Sequence, residues 1–141
     1  MSLISALRTY LLTYSGLADN APLLIDSLGN THTQYGLFPL PAAQIIENYI
    51  DGSSLRQFAF AIQSIESIAD DAARQEANEF YEALAAWLES QTEAGVLPTL
   101  ATGKTAQSIE ALQSGFLFEF GESGTGVYQI QCRLTYEQIA P

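Results

Sequence analysis

Two stretches of this chain alternate apolar and polar residues with a period of two, and a stretch with a period near 3.6 lies between them. The first, YIDGSSLRQFAFAI, covers residues 49–62, and the second, TGKTAQSIEALQSGFLFEFGESGTGVYQIQCRLTY, covers residues 102–136. Each predicts a β-hairpin. In the first, residues 45–50 are rich in β-branched side chains, and Asp51-Gly52 supplies the turn because glycine takes a positive φ without penalty. The return strand places Leu55, Phe58, Phe60 and Ile62 on one side and Gln57, Ala59, Ala61 and Gln63 on the other. Holding that phase calls for a bulge near Leu55 and Arg56. In the second, Phe116, Phe118 and Phe120 share one side, and GESGTG at residues 121–126 forms the turn. Tyr128, Ile130, Cys132, Leu134 and Tyr136 then alternate with Gln129, Gln131, Arg133 and Thr135. Residues 107–113 extend the first strand of that pair, with a kink near Gly115.

Helical spacing appears twice. Leu3, Ile4, Leu7, Tyr10, Leu11 and Tyr14 predict a first helix with Ser2 as N-cap and Gly16 as its stop. Asp70 or Asp71 caps a second helix that runs to about Ala94, where Gly95 ends it and Pro98 prevents resumption. Its expected buried stripe is Ala77, Phe80, Tyr81, Leu84, Trp87, Leu88 and Gln91, with Glu76, Glu79, Glu82 and Glu89 on the solvated face. Between the first helix and the first hairpin, residues 22–28 predict a short strand, Gly29-Asn30 a turn, and residues 34–37 a second extended piece. Pro39 and Pro41 break regular structure there. The sum is a single α+β domain over residues 1–141: a two-layer sandwich whose mainly antiparallel, hairpin-built sheet carries two helices on one face. The Phe/Ile/Tyr side of the sheet is expected beneath the helices, and the Gln/Arg/Thr side faces solvent or a neighbouring subunit.

Composition narrows what such a domain does. Only 15% of residues are charged, against about 25% in typical soluble domains, so much of the surface is Gln, Ser, Thr, Asn and Ala. Sixteen acidic residues against five basic ones give a net charge of −11. That charge repels phosphate backbones and anionic lipid, so neither specific nucleic-acid binding nor membrane association is expected. The N-terminal segment lacks the features of a signal peptide, and no run approaches the ~20 apolar residues a spanning helix needs. A single cysteine, Cys132, forms no intrachain disulfide and no cysteine-based metal site, which fits a reducing cytoplasm.

Candidate chemistry falls away on inspection. Thr102-Gly103-Lys104-Thr105 resembles the end of a phosphate-binding loop, but Pro98 stands where that loop needs glycine, and the segment precedes a strand instead of a helix. A nucleophile elbow around Ser123 fails because Thr125 occupies the second glycine position. His32 is the only histidine and has no nucleophile or orienting group beside it in the sequence. Cys132 reads as a buried small hydrophobe and Trp87 as a core anchor. No catalytic, cofactor-binding or metal-binding residue is assigned, and no cofactor is expected. Arg56 and Arg133, two of the five cations, stand beside glutamines; Arg56, Gln57, Gln129, Gln131 and Arg133 are the candidate subunit-interface residues.

Several segments together resemble the small minor capsid proteins of siphophages and prophages of Gram-positive bacteria. They are SLISALRTYL, YGLFPLPA, YIDGSSLRQFAFAI, FYEALAAWLESQTEAGVLPTL, GKTAQSIEAL and YQIQCRLTYEQ. The resemblance implies a structural virion protein and not an enzyme. The order helix–hairpin–helix–hairpin is also similar to tail-terminator and tail-completion proteins. That likeness implies a ring homo-oligomer (a hexamer is one form it could take in the virion) contacting the tail tube and head-connector proteins. Its location would be the head–tail junction, after assembly in the host cytoplasm. The alternatives are a prophage-encoded accessory interaction protein and a small-molecule-modifying enzyme.

Overall fold

The computed structural model describes residues 2–17, 23–26, 35–120 and 124–140. The predicted turn at Gly29-Asn30, His32 and the first half of the GESGTG turn lie outside them. Helix α1 spans Leu3–Leu11. The hydroxyl of Ser2 accepts from the Ser5 N–H at 3.2 Å, and that of Ser5 accepts from the Ser2 N–H at 3.2 Å, closing a capping box. The helix stops at Leu12, short of the expected Gly16, yet Tyr14 still packs its ring 4.8 Å from that of Trp87. Helix α2 spans Asp71–Ala94 with its predicted ends. The Asp70 carboxylate accepts from the Ala73 N–H at 2.8 Å. At the other end Gly95 takes φ 74°, which lets Val96 donate back to the Gln91 carbonyl at 2.9 Å.

The strands are β1 (Leu23–Ile25), β2 (Tyr35–Pro39), β3 (Ile45–Asn48), β4 (Ser54–Ser67), β5 (Lys104–Ala111), β6 (Phe116–Phe120) and β7 (Thr125–Gln138). They form one mostly antiparallel sheet, with the pair β1–β2 parallel. Its spine is the antiparallel pair β4–β7, in register from Ser54 opposite Gln138 to Ser67 opposite Thr125. Each spine strand carries two shorter strands along its outer side. On β4, β3 pairs at residues 54–56 and β2 at residues 60–64. On β7, β5 pairs at residues 132–138 and β6 at residues 126–129.

Both helices lie on the sheet face formed by the even-numbered residues of β4 and β7. Phe60, Ile62, Ile130, Cys132, Leu134 and Tyr136 meet Leu7 and Leu11 of α1 and Tyr81, Leu84 and Leu88 of α2, all essentially inaccessible to solvent. Each such side chain contributes roughly 1.5–3 kcal/mol on leaving water. Trp87 is half-buried where α1 meets α2, against the rings of Tyr10 and Tyr14. The Tyr10 hydroxyl donates to the Val96 carbonyl at 2.8 Å, tying α1 to the segment after α2.

The α+β two-layer architecture is as the sequence predicts. Three details of phase differ. The unbroken register of β4 against β7 places Leu55 on the same face as Gln57, and the expected bulge lies instead in β3, between Ile45 and Glu47. The stretch expected as one kinked strand is two strands, because residues 112–115 leave the ladder between β5 and β6. A Cβ on Gly115 would sit 2.4 Å from the Tyr81 Cβ, so the chain passes under this tyrosine only because position 115 has no side chain. Finally, the phenylalanines of β6 do not enter the core. Leu117 pairs with Tyr128 on the helix side, so Phe116, opposite Gln129, turns away, and a register shift follows between Leu117 and Glu119.

Candidate functional site

The face of the sheet away from the helices is built from the odd-numbered residues of β4 and β7. Antiparallel partners share a face, so register gives its rows directly. Gln57 lies opposite Thr135, Ala59 opposite Arg133, Ala61 opposite Gln131, and Gln63 opposite Gln129. Ala59 and Ala61 are buried although no helix covers them, because the longer side chains around them close over a short one. Phe38 of β2 stands beside Ala61 on this face.

Four of the five expected interface residues, Gln57, Gln129, Gln131 and Arg133, therefore share the open face. Arg56 does not: it pairs with Tyr136 and belongs to the helix-side phase, at the sheet end near the β3–β4 turn. Its Nε donates to the Ser54 hydroxyl at 2.9 Å and its Nη1 to the Gln44 side-chain oxygen at 3.3 Å. Gln129 is almost fully buried and accepts from the Gln63 amide at 2.6 Å. Arg133 is ion-paired with Glu110 across the β7–β5 ladder. Its charge is thus already partnered within the chain, which weakens its candidacy as an anchor for a neighbour.

The margins of the sheet carry what sequence reasoning missed. Phe116, Phe118 and Phe120 are 36%, 50% and 78% exposed, and Leu112 just before them is 50% exposed. The rings of Phe116 and Phe118 touch edge-on at 6.3 Å between centroids. On the opposite margin β3 is exposed throughout, with Ile45 and Ile46 uncovered and Tyr49 and Ile50 beside them in the turn. That turn is firmly set: Gly52 has φ 90° and donates to the Tyr49 carbonyl at 3.1 Å, and the Asp51 carboxylate accepts from the Ser53 N–H at 2.9 Å and from its hydroxyl at 2.5 Å. These bonds to Ser53 hold the Asp51 carboxyl below its usual pKa. Among the described residues no strand pairs with the outer side of β3 or of β6.

The outer side of β5 is treated differently. The Thr92 hydroxyl of α2 donates to the Ile109 carbonyl at 2.7 Å and accepts from the Ile109 N–H at 3.0 Å. One hydroxyl thereby occupies both outward-facing groups of that residue, where an added strand would bind. A groove of about 550 Å³ runs beside this contact between α2 and β5, with Ala85, Ala86, Ile109 and Ala111 among its apolar lining and Glu82, Glu89, Glu93 and Glu110 around it.

Beneath the sheet the titratable groups are sealed. Burial pushes the Cys132 thiol well above its ordinary pKa. Burial does the same to the Tyr81 hydroxyl, partly offset by its bond to the Ser64 hydroxyl at 2.5 Å. Among the described residues no group of three or more His, Cys, Asp or Glu side chains is placed to hold a metal ion. No helix among them is long and apolar enough to cross a membrane. What the geometry defines is a two-layer α+β sandwich with one helix-covered face, one charge-poor open face and two uncovered strand margins. No protein-family model and no curated protein matches the chain.

Proposed function

We propose that this chain is a structural virion protein of a bacteriophage, a tail-terminator or head–tail joining subunit of the minor capsid type that acts by assembling into a ring. The observation that carries the proposal is the pair of uncovered strand margins, which present Phe116, Phe118 and Phe120 on one side and Ile45 and Ile46 on the other. Isolated proteins blunt their sheet edges with charge, bulges or covering elements, and an edge left apolar and bare is a template for another chain. The resemblance of six segments to siphophage minor capsid proteins supports the same reading. So does the distribution of charge: Glu76, Glu79, Glu82, Glu89 and Glu93 are exposed along α2, away from the open sheet face. In a ring, an acidic surface toward the channel lets DNA pass without adhering.

The mechanism is steric. The subunits cap the growing tail tube and present the surface to which the head connector docks. Because every copy carries −11, association strengthens as salt screens the repulsion between copies.

The test is electron microscopy of lysates from the parent phage with this gene deleted, together with the protein composition of purified wild-type particles. Free heads beside tails of irregular length, and presence of the chain in particles, are expected. Normal infectious particles without the chain overturn the proposal and favour an accessory, host-directed interaction protein.

A further inference from the structure

We infer that the β6 margin of one copy docks on the β3 margin of the next, so that copies join head to tail through an intermolecular extension of the sheet. The inference deepens the ring reading above and rests on it. Four observations select this contact over others.

The two margins match as strands. β3 has four residues and β6 has five, and the outer side of each is unpaired among the described residues. Of the other edge strands, β5 is closed at Ile109 by the Thr92 hydroxyl, and β1 has only three residues.

The two margins match in direction. β3 and β6 are each antiparallel to the spine strand they pair with, and the spine strands are antiparallel to each other. β3 and β6 therefore run in opposite senses within one copy. When a neighbour keeps the same strand sense, its β3 meets β6 antiparallel, the more stable pairing. The contact is also staggered, since β3 sits at residues 54–56 of β4 whereas β6 sits opposite residues 126–129 of β7, near the other end of the spine. The strands then lie oblique to the ring axis, as strands must in any closed sheet.

The two margins match in side chains. Antiparallel pairing of the two margins brings the exposed Ile45 and Ile46 of one copy against the exposed Phe116, Phe118 and Phe120 of the next. Charge decides against the alternative faces: α2 presents a series of exposed glutamates, and apposing two such surfaces brings like charges together.

A head-to-tail contact differs from a two-fold β6–β6 contact in one measurable respect: it uses two different surfaces, so two opposite defects complement. The experiment is sedimentation velocity on Phe118→Asp, on Ile46→Asp, and on their equimolar mixture, at a salt and protein concentration where the wild type associates. Both side chains are exposed, so both variants are expected to fold; circular dichroism checks this. Each variant alone is expected to need at least about ten-fold more protein to associate, the effect of losing a central interface residue. The mixture is expected to give a 1:1 dimer and nothing larger, because each variant retains the one surface the other needs. An Ile46→Asp protein that associates like wild type, or a mixture that stays monomeric, overturns the inference. Oligomers that persist in both single variants overturn it as well, while leaving ring assembly through other surfaces standing. A wild type that remains monomeric at every salt and concentration overturns the inference, and the particle composition then decides separately whether the virion reading survives.

Discussion

β5 and β6 pair with the same spine strand on the same side, yet one margin is closed and the other is open. The outer groups of Ile109 in β5 are bound by the Thr92 hydroxyl, and α2 lies alongside. β6 has no such cover among the described residues and shows three phenylalanines to solvent. The chain between them dips under Tyr81 at Gly115, and there the strand trades one environment for the other. A single sheet edge has thus been divided into a part that completes the fold and a part that is left for something else. The difference implies that substitutions on β5 act on stability and substitutions on β6 act on association.

That contrast yields a graded series. Tyr81→Ala removes the side chain over the crossing point and its bonds to Ser64 and Tyr128, and is expected to cost about 3–5 kcal/mol in urea unfolding. Gly115→Ala forces a Cβ to within 2.4 Å of the Tyr81 Cβ and is expected to cost about 1–3 kcal/mol by the same measurement, through overpacking. Thr92→Val keeps the shape and removes the hydroxyl. About 2 kcal/mol of stability is expected to go with it, and the freed Ile109 groups make the β5 margin newly prone to pairing, visible as turbidity on heating.

The sealed interior adds a pH signature. The Cys132 thiol is buried and its pKa is raised from an ordinary 9.0, so above about that pH the unfolded chain releases a proton that the folded chain keeps. Stability is full below the unfolded value and falls as pH rises toward the folded one, by about 1.4 kcal/mol per pH unit for one proton. Tyr81 adds the same slope from its ordinary 10.0 upward. Cys132→Ala is expected to flatten the curve between these two onsets, and parallel slopes for the two proteins would contradict the assignment. Phe118→Asp closes the series: its effect on stability is expected to stay within about 0.5 kcal/mol, as for other exposed positions, while its effect on association is large.

The periodicities that span whole elements were legible in the sequence. α2 begins at Asp71 and ends at Ala94 because a capping aspartate, a long apolar stripe and a glycine all agree. The alternation of β7 placed Tyr128, Ile130, Cys132, Leu134 and Tyr136 on one face correctly, since only one of its two faces is apolar. FLFEF in β6 gave no such guide. Period two puts its phenylalanines on one side, but the register shift between Leu117 and Glu119 sets Phe116 opposite Gln129 in the open-face phase and Phe120 opposite Gly126 in the other, and Leu117 packs against the core in their place. The interface candidates were legible to the same degree. The shared open face of Gln57, Gln129, Gln131 and Arg133 follows from simple alternation, whereas Arg56 lies in the helix-side phase because the bulge expected in β4 lies in β3. The kink at Gly115 was legible but not its passage under Tyr81, and the Thr92 cap left no sequence signal, since each contact depends on elements brought together by the fold.

The most direct test of the division between closed and open margins is amide hydrogen exchange, read strand by strand, on dilute protein and on protein assembled at high salt. The account predicts that Ile109 in β5 is protected in both samples. It predicts that the outward amides of β6 and β3 exchange fast when dilute and slow together on assembly. Assembly that protects neither β6 nor β3 would contradict it, as would an Ile109 amide that exchanges as freely as those of β6 in the dilute protein.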